Sequence, residues 1–229
     1  MNLEKNLKQV LENIASSKKK SSWGQSVELI AATKTREIST IEECCQLGIK
    51  TIGENRVQEA EEKFSYFPGF KKIKKRFIGH LQTNKVKKCL NIFDTVDSID
   101  SLKLATKVNN ASKKINKKPE CLIEVNTSGE PQKRGFSPKV SEELISCFNL
   151  TELKIVGLMT VGPNTNNEKT LRLAFILLRQ LKDKINNELG SVTLTELSMG
   201  MTNDYEVAIQ EGSTMVRVGT GLFGVRNYQ

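Results

Sequence analysis

The sequence predicts a single (β/α)8 barrel, and three observations carry that prediction. Eight short β-rich apolar runs alternate with helix-length stretches from residue 27 to the end of the chain. Most of these runs are continuously apolar rather than strictly alternating, as expected of parallel strands covered by helices. The 229 residues contain no Pro/Gly/Ser linker and no low-complexity tract, so residues 1–229 are expected to form one domain. An open, doubly wound sheet is the alternative, because closure is not a local property of sequence.

In order, a leading helix over residues 1–17 places Leu3, Leu7, Val10, Leu11 and Ile14 on one face. The first strand, 27–33 (VELIAAT), precedes a helix over 38–48 that opens with a Ser/Thr cap region and closes on glycine. Strands follow at 49–53, 75–79, 92–97 and 120–126, with helical patterns over about 55–65, 83–90, 99–112 and 138–148. Strand 154–160 (KIVGLMT) leads into the clearest helix, 167–189, whose apolar positions recur at three and four residues before Gly190. Strand 193–198, a helix over 204–211 capped by Asn203 or Asp204, and strand 214–219 (TMVRVG) complete the series.

Composition removes several function classes. Hydrophobic residues are 38% and charged residues 27%, an ordinary globular balance. No apolar run approaches the roughly 20 residues of a membrane span, and the N-terminus lacks a secretory apolar block, so a cytoplasmic location is expected. Five cysteines without a CxxC pair and a lone His80 predict free thiols and no metal centre. The net charge of +9 gathers in lysine-rich runs at 18–20, 71–76, 84–88 and 113–118. They carry almost no interleaved aromatics, so a solvated basic face is expected rather than a nucleic-acid site.

Active groups of such barrels lie at the C-terminal ends of the strands, with phosphate often held after strands seven and eight. Those ends read Lys34, Glu54-Asn55, His80, Ser98, Asn126, Met159-Thr160, Ser198 and Arg217. Lys34 follows the apolar run Leu-Ile-Ala-Ala-Thr; partial desolvation there favours the neutral, nucleophilic amine, whereas a solvent-reaching lysine is the plain alternative. Two glycine-containing turns, at Ser198-Met199-Gly200 and Gly219-Thr220-Gly221, end the last two strands. Their backbone N–H groups and hydroxyls suit an anion. Arg217 shares a strand face with Gly219 and needs a partner, either a structural carboxylate or a cofactor ring nitrogen.

The segments 31–35 (AATKT), 53–60 (GENRVQEA), 77–85 (FIGHLQTNK), 96–100, 123–136 (IEVNTSGEPQKRGF), 157–161, 197–209 (LSMGMTNDYEVAI) and 213–224 (STMVRVGTGLFG) resemble, in order, the pyridoxal phosphate homeostasis proteins. That family is similar in fold to the N-terminal barrel of alanine racemase, the type III PLP-binding fold. The resemblance implies pyridoxal 5'-phosphate (PLP) held as a Schiff base on Lys34. It implies Ser198, Gly219 and Thr220 around the phosphate, with Met199 and Gly200 lending backbone, and Arg217 toward the pyridine nitrogen. Asn55, His80 and Met159 would line the pocket mouth or the ring face, and Lys133 would lie on a mobile loop that handles incoming or departing PLP. Thr33 stands where many members carry serine.

The resemblance also implies a role in vitamin B6 balance as a carrier or buffer, with PLP-requiring apoenzymes as partners. The chain stops at Gln229, so the second, β-rich racemase domain with its catalytic tyrosine is expected to be missing and the protein to be a monomer. A cation beside the ring nitrogen disfavours its protonation and weakens carbanion chemistry. Of the candidate second bases, His80, Tyr66, Tyr205 and Tyr228, none sits convincingly on a second face. No catalytic residue is therefore assigned, and turnover by a racemase-like enzyme is the alternative.

Overall fold

The computed structural model of this chain describes residues 2–65 and 72–225. Each strand is parallel to its neighbours and the strands stand around the barrel in sequence order, β1 to β8. β1 (Glu28–Ala32) pairs with both β2 (Thr51–Glu54) and β8 (Met215–Val218), which closes the barrel. β3 (Lys74–Phe77), β4 (Thr95–Ile99), β5 (Glu120–Glu124), β6 (Lys154–Met159) and β7 (Glu196–Met201) complete it. Closure leaves no unpaired edge and gathers every strand's C-terminal end at one mouth. The open-sheet alternative is excluded by the β1–β8 ladder.

The helices form for local reasons that the sequence carries. α1 (Leu3–Lys20) is capped by Asn2, whose side chain accepts the Lys5 N–H, and ends in three lysines that suit the negative end of the helix dipole. Leu3, Leu7, Val10 and Ile14 are buried as expected, but Leu11 is 49% exposed. The buried stripe is narrower than the apolar one. α7 (Glu168–Glu188) buries Leu171, Ala174, Phe175, Leu178, Leu181 and Ile185, and Gly190 takes the left-handed conformation just past its end. α2 (Ile38–Gln46) departs from expectation. Its N-cap is Glu37 without a side-chain cap bond, and Ser39 and Thr40 lie inside the helix.

β4 and β7 each begin three residues later than the sequence suggested. Ile92 closes α4 (Val86–Ile92) instead of opening β4. In the seventh segment, Thr193 and Leu194 donate their N–H groups to the Asn186 side chain, so that stretch never joins the ladder; the strand continues instead to Met201. A side chain thus takes donors that a strand would have used.

The interior alternates with the outer layer along each strand. Ile30, Leu122, Met159 and Met215, drawn from β1, β5, β6 and β8, form a small apolar plug. Beneath the charged lysine run, Arg76 contradicts the expectation of a solvated basic face. It is fully buried, its Nε donating to Asp97 Oδ2 at 2.7 Å and its Nη2 to Asp97 Oδ1 at 3.2 Å. Lys117 is also structural, donating to the Leu90 and Phe93 carbonyls at 2.6 Å each. The five thiols are free, and burial pushes those of Cys44 and Cys147 up to about 12. Among the described residues no helix is long and apolar enough to cross a membrane, and no metal-binding cluster exists.

Candidate functional site

The mouth is built from turns that follow the strands. On β1, Ile30 faces inward and Ala31 outward, so Ala32 and then Lys34 continue the inward series just beyond the strand. The β1–β8 register pairs Ala31 with Val218, which sets Ala32 beside Gly219. A Cβ placed on Gly219 would lie 3.6 Å from the Ala32 Cβ and carbonyl oxygen, an ordinary contact that leaves the Gly219 backbone open to the mouth. Lys34 and the turn after β8 therefore share one rim.

That turn presents an oxygen-binding geometry. The Gly219 and Gly221 N–H groups both donate to the Thr202 hydroxyl oxygen, at 3.3 and 3.1 Å. They flank Thr220, the first residue of the one-turn helix α9 (Thr220–Phe223). Thr202 was not singled out in the sequence; its signal is the hydroxyl placed two residues after Gly200. Gly200 itself has φ +98, and a Cβ there would lie 2.7 Å from the Ala208 Cβ of α8 (Tyr205–Gln210). Only glycine lets the chain turn this close to that helix.

Arg217 is buried inside the barrel. Its Nη1 donates to the Ser198 carbonyl and hydroxyl at 2.8 and 2.7 Å, and its Nη2 donates to the Thr160 carbonyl at 2.7 Å. No carboxylate of the described residues lies within ion-pair distance, so the structural carboxylate anticipated from sequence is not its partner. Burial pushes its pKa below the ordinary arginine value, against the opposing pull of Asp97, Asp204 and Glu124. Ser198 is not at a strand end. It lies inside β7, fully buried, with its hydroxyl oxygen accepting from Arg217 and its own proton available to donate.

The family called alanine racemase, N-terminal domain, matches residues 6–227. A pyridoxal phosphate homeostasis protein of Aquifex aeolicus is 40% identical over 230 residues, covering 100% of both chains. The chain belongs to the pyridoxal phosphate homeostasis protein family. Among solved structures of similar fold, PipY of Synechococcus elongatus with PLP bound has a TM-score of 0.84 at 28% identity, covering 97% of this chain and all of that one. Alanine racemase of Clostridium difficile has a TM-score of 0.75 at 16% identity, with 98% of this chain covering 58% of that one, a likeness of fold.

Measured against the residues expected for a pyridoxal phosphate homeostasis protein, the mouth divides into near and outer groups. Asn55 follows β2 beside Lys34, and its Oδ1 is buried without a hydrogen-bond partner. Such an orphan acceptor fits a site that receives a ligand donor. Met159 is buried in the apolar plug, paired in register with Ser198. Met199 points outward into the main core and its carbonyl accepts the Ser213 hydroxyl at 2.7 Å, so its backbone oxygen is engaged. His80 is 40% exposed, its Nδ1 3.3 Å from Asp100 Oδ2, and it lines an outer cleft of about 630 Å³ with Asn55, Arg56 and Lys85.

Lys133 lies on the loop after β5. Its Nζ donates to Glu130 Oε1 at 2.6 Å and to the Gly162 carbonyl at 2.7 Å, which ties its loop to the one after β6. Tyr205 is buried in the outer layer, its hydroxyl accepting from Asn13, away from the mouth. Tyr66 and Tyr228 lie outside the described residues. A group that sequence reasoning passed over is Glu124, the last residue of β5, whose inward side chain burial pushes up to about 7.

Proposed function

We propose that this protein holds PLP as a Schiff base on Lys34 and serves as a cytoplasmic carrier or buffer of the cofactor, delivering it to PLP-requiring apoenzymes as a single-domain monomer. The observation that carries this reading is the shared rim. The amine that would bond the cofactor and the N–H pair that would hold an anion belong to adjacent, hydrogen-bonded strands, β1 and β8. When bound, PLP supplies an aldehyde for the amine and a phosphate for the glycine turn.

The roles of the remaining residues follow from what they present. Gly219 and Gly221 would turn their N–H groups from the Thr202 oxygen to the phosphate, with the Thr220 and Ser198 hydroxyls as further donors. Met199 and Gly200 shape the turn that carries Thr202 to that place. Arg217, already held by β6 and β7, is a fixed cation inside the mouth and would face the ring nitrogen. Asn55, Met159 and His80 would bound the ring from the β2, β6 and β3 sides.

Borohydride reduction of the protein incubated with PLP should fix one pyridoxyl mass on the peptide containing Lys34 and none in Lys34→Ala. A visible absorbance that survives Lys34→Ala unchanged refutes the assignment. One observation favours a second, racemase-like reading: the Glu124 carboxyl titrates near neutrality at the mouth, as a proton-exchanging group does. Exchange of amino-acid α-protons that requires Lys34 would select that reading, and transfer of PLP to an apoenzyme without such exchange selects the carrier.

A further inference from the structure

One buried cation grips the peptide groups on both sides of Lys34. Lys63 lies in the last turn of α3 (Val57–Ser65), with its side chain 10% exposed. Its Nζ donates to three oxygens: the Thr33 carbonyl at 3.0 Å, Glu54 Oε1 at 3.0 Å and Glu59 Oε1 at 2.6 Å. Three acceptors satisfy the three protons of an ammonium. The Thr33 hydroxyl donates to the same Glu54 oxygen at 2.8 Å. On the far side of Lys34, the Thr35 N–H donates to Glu59 Oε1 at 2.5 Å. The peptide group before Lys34 is thus held by Lys63 directly, and the one after it through Glu59.

The chain is strained where it is held. Thr35 has φ +63, a region a β-branched residue enters only when its surroundings impose it. Burial pushes the Glu59 carboxyl up, but hydrogen bonds from Lys63 and the Thr35 N–H outweigh it and hold the carboxyl below its ordinary value. It therefore stays an anion facing that N–H. Glu54, raised by burial against the pull of Lys63 and Thr33, anchors the cluster to β2.

Pinning α3 to β2 needs only the Lys63–Glu54 contact, and a buried ion cluster is often no more stabilising than apolar packing. What the extra bonds accomplish is to fix the turn that carries Lys34. We propose that Lys63, acting with Glu59, is the positioning residue that aims the Lys34 amine into the barrel mouth; this rests on the assignment of Lys34 as the PLP-bonding lysine. Without the grip, the turn relaxes from its left-handed conformation and the amine no longer meets the aldehyde at a reproducible angle.

The test uses the full chain in two measurements. In the protein without PLP, amide hydrogen exchange at Thr35 reports the grip itself. With PLP added, the rate at which borohydride traps a pyridoxyl mass on Lys34 reports the aim. Lys63→Met and Glu59→Ala should each speed Thr35 exchange and slow trapping by about tenfold or more. Glu59→Gln, which keeps an acceptor oxygen, should restore both. Lys88→Met, which breaks the exposed Lys88–Glu61 pair, should change neither.

If Lys63→Met fails to fold, Glu59→Ala decides, because Glu59 lies near the helix surface and Lys63 keeps Glu54. A folded Glu59→Ala with unchanged Thr35 exchange, or with loosened Thr35 but wild-type trapping, overturns the proposal. A pyridoxyl mass found on a lysine other than Lys34 overturns the underlying assignment instead, and the exchange measurement, made without PLP, separates the two failures.

Discussion

Glu124→Gln should make the protein more stable at pH 8 and leave it nearly unchanged at pH 4.5. Glu124 ends β5 with its side chain inside the barrel mouth, where burial and the carboxylate of Asp100 push its pKa from 4.5 to about 7 against the pull of Arg217 and Arg134. In the unfolded chain the carboxyl ionises near 4.5, so between that value and 7 the folded state holds a proton that the unfolded state has lost. Stability from this group is complete below pH 4.5, declines as pH rises through the interval, and is flat above 7. The rise from 4.5 to about 7, at about 1.4 kcal/mol per pH unit, gives about 3.5 kcal/mol as the full difference, and water reaching the rim reduces it to about 2. Glutamine keeps the shape and never ionises, so the variant minus wild-type difference isolates the contribution of this carboxyl. Urea unfolding of both proteins at pH 4.5, 6 and 8, without PLP, should show the curves diverging upward in pH. Parallel curves, or a variant less stable at pH 8, would refute the placement of a poorly solvated carboxyl at the mouth.

Gly219→Ala should fold normally, since its Cβ meets nothing closer than 3.6 Å, yet, on the proposed placement of the phosphate, should lose PLP retention more than pyridoxal retention because the added methyl crowds the turn. Equal loss of both ligands by dialysis would show that the phosphate lies elsewhere. Asp97→Asn removes the hydrogen-bonded countercharge of fully buried Arg76, leaving only the Glu28 carboxylate at 3.7 Å, and should cost about 3 kcal/mol in urea unfolding. A change below about 1 kcal/mol would mean that water or the more distant Glu28 carboxylate replaces Asp97 as the partner of Arg76.

Much of the candidate site was legible because barrel chemistry collects at strand ends. Lys34, Asn55 and the Gly219-Thr220-Gly221 turn could be read from where apolar runs stop. Ser198 shows the limit: its run stops at position 198 in hydrophobicity, but the strand continues through Met199, Gly200 and Met201, so the serine is interior. Thr202 and Glu124 were missed for a related reason. A hydroxyl gains meaning only from the two N–H groups it meets, and a carboxylate's pKa only from the wall around it.

The order of eight strands and their helices is written in local periodicity and caps, because each element needs only its own apolar face and ends to declare itself. Closure of β1 on β8, burial of Arg76 against Asp97, and the grip of Lys63 on the turn of Lys34 join residues from 21 to nearly 190 positions apart. Only the tertiary structure decided these. Whether a charge is solvated or a donor paired depends on which neighbours the closed barrel brings within about 3 Å.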